Sequence, residues 1–150
     1  WHHCPPGMGI HRPVWIECRP RVFVHDLFAR PLDTSGNLEI WAEIMQTGTR
    51  PEPFHLGLTI HGANFSLSPF EVSVPEDLPE AEPGVSRYRM SVRIPNARLW
   101  DTSTPWMYEA RAVLRCGDQT DTFCTEFGVR TFVLDESPGP DGMRGRFLLN

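Results

Sequence analysis

Acid–base, metal and thiol chemistry each have candidate residues in this chain. Glu39 and Glu43 share one alternating segment and Glu126 belongs to another. A pair of carboxylates facing one another can act as general acid and base, provided that a cleft raises the pKa of one of them. Here the alternation sets all three on outward faces, where carboxylates serve as solubilising charge, and no residue is assigned a catalytic role. His2-His3-Cys4, with His11 nearby, offers the imidazole and thiolate ligands that zinc takes. Adjacent residues of an extended chain point apart, and the spacing matches no structural zinc site, so neither metal nor cofactor is expected. His25, His55 and His61 are scattered over strands and read as surface residues.

Four cysteines invite a disulfide. In the hairpin formed by 106–116 and 119–134, Ala110, Ala112, Leu114 and Cys116 share the inward set. Phe123, Thr125 and Phe127 form the inward set of the return strand and leave Cys124 outward. Cys116 and Cys124 then face opposite sides and cannot be bridged without a register break. Free thiols point slightly to a reducing compartment, and the localisation stays unassigned.

Aromatic residues offer binding chemistry. Trp41, Trp100 and Trp106 can make a stacking platform for sugars. Trp41 falls on the outward face with Glu39 and Glu43, and an outward tryptophan either binds a ligand or is covered by another domain. Trp100 and Trp106 flank a turn and are expected to staple the two sheets. Asn64-Phe65-Ser66 is a glycosylation sequon that matters only in a eukaryotic secretory pathway.

The elements that hold these residues are strands. Leu38, Ile40, Ala42 and Ile44 alternate with polar neighbours, as do Phe54, Leu56, Leu58 and Ile60, and again Tyr88, Met90, Val92 and Ile94. Further strands are predicted at 21–30, 69–75, 106–116 and 119–134. Turn chemistry lies at 31–36, 48–53, 62–68 and 75–84, and the acidic stretch Glu76 to Glu82 reads as a solvated hairpin tip. Fifteen prolines are spread among the connections, and no helical period persists for three turns. The expectation is an all-β, immunoglobulin-like antiparallel β-sandwich of about seven strands, without the Cys…Trp…Cys pattern of true immunoglobulin domains. One extra strand is predicted at Val14 to Cys18. After a Pro/Gly linker, an apolar strand stops at Asn150, as in a chain cut from something larger.

The apolar pattern switches parity at Gly128, which predicts a β-bulge where glycine permits the backbone angles. Arg130 would be turned out of the sheet, either toward a partner carboxylate or as an ordinary exposed arginine. A net charge of −5, with fourteen arginines and no lysine, supplies no basic patch for nucleic acid. No apolar run approaches the ~20 residues of a membrane span, and no signal-peptide pattern opens the chain.

Leu99-Trp100 followed by Pro105-Trp106-Met107-Tyr108, the strand Ala110 to Cys116, and Phe127-Gly128-Val129-Arg130-Thr131 together resemble the sandwich domain of glycoside hydrolase family 2. That family includes β-galactosidases, β-glucuronidases and β-mannosidases. Gly7 to Glu17 is similar to the last strand of the family's jelly-roll sugar-binding domain, and Gly145-Arg146-Phe147-Leu148-Leu149-Asn150 to the start of its catalytic (β/α)8 barrel. The resemblance implies three regions: residues 1–20 from the preceding domain, 21–135 the sandwich, and 136–150 the linker and barrel start. It also implies a parent that hydrolyses glycosides with retention, through two glutamates ~5–5.5 Å apart on the barrel, beyond Asn150. The segment itself is then a non-catalytic brace in carbohydrate metabolism. Its partners are the neighbouring jelly-roll and barrel domains, with Arg12, Trp15, Trp41 and Arg130 as candidate interdomain contacts. Alternatively it is an autonomous carbohydrate-binding module using Trp41. Apolar flanks left without those domains (Val14, Trp15, Ile16, Phe147, Leu148 and Leu149) are expected to cause self-association.

Overall fold

The computed structural model describes residues 13–139, 142 and 144–150. Seven strands build the sandwich: β1 (Val22–Pro31), β2 (Asn37–Gln46), β3 (His55–Gly62), β4 (Phe70–Val72), β5 (Gly84–Arg93), β6 (Tyr108–Cys116) and β7 (Gln119–Phe127). β8 (Phe132–Asp135) and β9 (Arg146–Leu149) form a separate two-stranded ribbon. One sheet has the order β1-β2-β5 and the other β4-β3-β6-β7, with every named pairing antiparallel. The described residues contain no helix long and apolar enough to cross a membrane.

Alternation determines which side chains meet between the sheets. Leu38, Ile40, Ala42 and Ile44 of β2 face Leu56, Leu58 and Ile60 of β3 and Ala110, Ala112 and Leu114 of β6 within one apolar cluster. Full burial of each Leu or Ile contributes roughly 1.5–3 kcal/mol, and a slip of one residue would turn the whole set to solvent. The β1–β2 connection is fixed by Asp33, whose carboxylate accepts the Ser35 and Asn37 amides at 2.8 and 3.2 Å. Side-chain bonds from Asn37, then Ser35, hold its pKa down to about 2. Gly36 adopts φ +92°, and a Cβ there would lie 2.3 Å from the Ile94 carbonyl oxygen, so only glycine fits.

β1 skips a residue against β2 between Val24 and Asp26. It runs beside β7 at the open edge between the sheets: Val24 lies at Asp121 near the start of β7, while Phe28 and Ala29 lie near Thr125 to Phe127 at its end. Asp121, on the inward phase of β7, is a buried carboxylate.

Four expectations need correction. Val14 to Cys18 is not a strand, because the segment has no ladder partner. The predicted strand 119–134 breaks after Phe127: the chain leaves β6 and pairs again with β9, so the parity switch marks a change of sheet rather than a bulge. Phe132 and Leu134 are accordingly exposed, not inward. Finally, the acidic tip is folded back. Ala81 is buried and paired with Glu52, and the Tyr88 hydroxyl donates to the Pro79 and Glu80 carbonyls at 3.1 and 3.2 Å, while the carboxylates stay in water.

Candidate functional site

The most elaborated part of the surface is the end of the sandwich where the β5–β6 connection meets the start of β8. Its foundation is Tyr108, the first residue of β6 and 1% exposed. The ring stacks on Phe127 at 5.5 Å and meets Phe65 edge-on at 5.0 Å. Its hydroxyl accepts the Arg98 N–H at 2.6 Å and donates to the Arg98 carbonyl at 3.3 Å. Burial raises the phenol pKa, so the hydroxyl keeps its proton at neutral pH. A tyrosine that opens a strand and bonds to upstream backbone also occurs at a corner of immunoglobulin-type sandwiches. Two residues on, where antibody domains carry a cysteine, stands the fully buried Ala110.

The connection is pinned at several more points. Asp101 accepts the Ser103 and Thr104 amides at 2.7 and 2.6 Å, which closes its tip. The Thr104 hydroxyl, donating at 2.7 Å, and then the Thr104 and Ser103 amides lower its pKa. Asn64 clasps the return, donating to the Pro105 carbonyl at 2.8 Å and accepting the Met107 N–H at 2.9 Å. The sequon amide nitrogen is therefore engaged in the fold.

So held, the connection presents two tryptophans, each with a guanidinium over its ring. Arg98 lies 4.7 Å from the Trp106 centroid, and Trp106 meets Phe65 edge-on at 5.4 Å. Arg130 lies 4.4 Å from the Trp100 centroid and 5.4 Å from that of Phe132. Gly128 makes the second stack possible, since a Cβ there would come within 2.8 Å of the Trp100 Cβ. Its glycine is needed for close approach and not, as expected, for unusual backbone angles. Asn150 completes the corner: it exchanges bonds with the Thr131 backbone at 3.0 Å and donates to the Trp100 carbonyl at 3.0 Å. Around Arg130 runs a shallow hollow lined by Phe28, Ala29, Phe127 and Phe132. Beyond it the β8–β9 ribbon leaves Phe132 60%, Phe147 76% and Leu148 47% exposed. Such a ribbon is marginal alone, and apolar side chains in this density want cover.

Trp41 is packed by residues of its own sheet. It is half-buried on the outer face of its sheet, under Arg89 at 4.6 Å and Arg87 at 5.3 Å, with Phe28 edge-on at 5.7 Å. Its indole N–H donates to Glu39 at 3.1 Å. The domain's own strands therefore cover it. Trp41→Ala is expected to lower stability by about 1–2 kcal/mol, from two cation–π contacts at ~0.5–1 kcal/mol each. Titration calorimetry with simple sugars should show no tight binding for that variant to lose. Tight binding by the parent chain, abolished in the variant, would restore the carbohydrate-binding reading.

The remaining candidates are dispersed. Trp15 is 68% exposed and donates to Glu17 at 3.0 Å. Arg12, His2, His3, Cys4 and His11 lie outside the described residues. Glu39 contacts Arg30 at 3.6 Å, Glu43 takes the Arg87 Nε at 2.9 Å, and Glu126 is exposed opposite Glu109, so the three carboxylates do not converge. Cys18, Cys116 and Cys124 are free thiols, and burial raises the pKa of the latter two. No group of three metal-ligating side chains gathers among the described residues.

Fold and surface define a β-sandwich module. Residues 22–130 match the sequence profile of glycosyl hydrolases family 2, and the chain belongs to that family. A search of curated protein sequences finds no match. Among solved structures, a Bacteroides uniformis β-glucuronidase superposes with TM-score 0.63 at 18% identity, over 87% of this chain and 16% of its own. A putative β-galactosidase from Bacteroides fragilis gives 0.64 at 18% identity, over 87% and 20%. A family 2 member from Bacteroides cellulosilyticus gives 0.66 at 14% identity, over 86% and 17%. The chain thus spans about a sixth to a fifth of the length of these structures, and the likeness at such identity is one of fold.

Proposed function

We propose that this chain is a non-catalytic, immunoglobulin-like module of a family 2 glycoside hydrolase, holding a sugar-binding domain at a fixed distance from a catalytic barrel. The observation that carries the reading is the placement of its two flanks. β1 and β7 start side by side, so the segment before β1 meets the sandwich at one end and the ribbon after β7 at the other. A strand of ten residues separates those ends by roughly 30 Å. Uncovered apolar side chains occur in both flanks, Ile16 at 94% and Phe147 at 76% exposure. On this reading Trp15 faces the sugar-binding domain. Arg130, held on Trp100, offers its guanidinium to a carboxylate of the barrel.

Two measurements test it. The chain alone should release no nitrophenol from a panel of aryl glycosides. Turnover that disappears in Glu39→Gln or Glu126→Gln would overturn the reading. In the full-length gene product the amides of residues 132–134 and 147–149 should exchange slowly, whereas the isolated chain should self-associate through the same residues. A monodisperse isolated chain, with these amides exchanging at the same random-coil rates in both proteins, would also overturn it.

A further inference from the structure

We infer that Asp121 is the residue that sets the direction in which residues 13–20 approach the sandwich, acting through Arg19. A carboxylate 8% exposed is costly unless it is bonded and paired, and both conditions are met from far along the chain. The Val24 N–H donates to its Oδ2 at 2.9 Å, just where β1 skips a residue against β2. The Arg19 Nη1 donates to both of its oxygens, at 3.1 and 3.4 Å.

Arg19 extends the relay outward. Its Nε and Nη2 donate to Glu17 at 3.0 and 2.8 Å, its guanidinium lies 5.9 Å from the Phe23 centroid, and Glu17 in turn accepts the Trp15 indole N–H at 3.0 Å. Residues 13–20 have no strand partner, so this line of side chains does what a ladder would do elsewhere. It touches β1 and β7, the adjoining edges of the two sheets. The orientation of the leading segment is therefore tied to the sandwich as a whole. Asp121 is a positioning residue in this scheme, and the inference concerns this chain alone, independent of the bracing role proposed above.

The test is backbone 15N relaxation of the chain together with urea unfolding. Asp121→Asn keeps an oxygen for the Val24 N–H and removes the charge that holds Arg19. Arg19→Gln leaves Asp121 and the strands in place, which covers the case where the first variant folds poorly. In both, the backbone order parameters of residues 15–19 should fall below about 0.6, the flexible range, while those of β2 and β5 hold. Glu17→Gln should loosen Trp15 and leave Arg19 ordered, an ordering that a general loss of stability would not produce. Unchanged order parameters at 15–19 in Arg19→Gln, or a fall there matched by an equal fall in β2 and β5, would overturn the inference.

Discussion

Replacing Tyr108 with alanine should cost about 3–5 kcal/mol, the range for truncating a large buried aromatic. A domain of ordinary stability, ~5–15 kcal/mol, is brought close to unfolding by such a loss. The removed ring is the piece against which Phe65 and Phe127 pack, and its hydroxyl also holds the β5–β6 connection. Tyr108→Phe separates the two roles. The ring stays, but the Arg98 N–H and carbonyl lose their partner, which should cost about 1–3 kcal/mol. Urea unfolding measures both, and a phenylalanine variant within a few tenths of the parent would show that the corner bond contributes nothing.

Gly128→Val should be the most damaging change at the surface of the module. A Cβ would stand 2.8 Å from the Trp100 Cβ and 3.0 Å from two atoms of its indole, and Trp100 is tied to Val129 by its own amide at 2.9 Å. Overfilling a packed contact costs about 1–3 kcal/mol, with the branched side chain at the upper end. Trp100 would be driven from beneath Arg130, and the near-ultraviolet circular dichroism of the stacked indole would fall. A double-mutant cycle of Gly128→Ala with Trp100→Gly gives the decisive comparison, because removing the indole relieves the clash. The double variant should cost less than the sum of the single ones. Strict additivity would place the effect of Gly128 somewhere other than at Trp100.

Periodicity made most of this fold legible. β2, β3, β5 and β6 alternate so regularly that their inward residues follow from phase alone. Phase says nothing about which strand a segment pairs with. Residues 119–134 alternate through Phe127 and again from Phe132, yet the two halves belong to different sheets. Val14 to Cys18 has the residue types of a strand and no neighbour to make it one. At the elaborated end, the Arg130–Trp100 pair lies thirty residues apart in sequence, and the partner of the Tyr108 hydroxyl is main chain, which carries no signature. Asp121 carried a signal that went unread: an acid on the inward phase of β7, between Phe123 and the hairpin turn, has to be answered by something.

The side-by-side run of β1 and β7 has a mechanical consequence. A pull between the leading segment and the ribbon would load these two strands in shear along their length. β1 is laddered to β2 and β7 to β6, and the hydrogen bonding that joins β1 to β7 centres on the Asp121 carboxylate. Under tension, the resistance along that edge falls on a clasp of side-chain bonds and an apolar contact, not on a row of main-chain bonds breaking together. Stretched from its two ends, the module would give way first along the β1–β7 edge, with the rest of each sheet still intact.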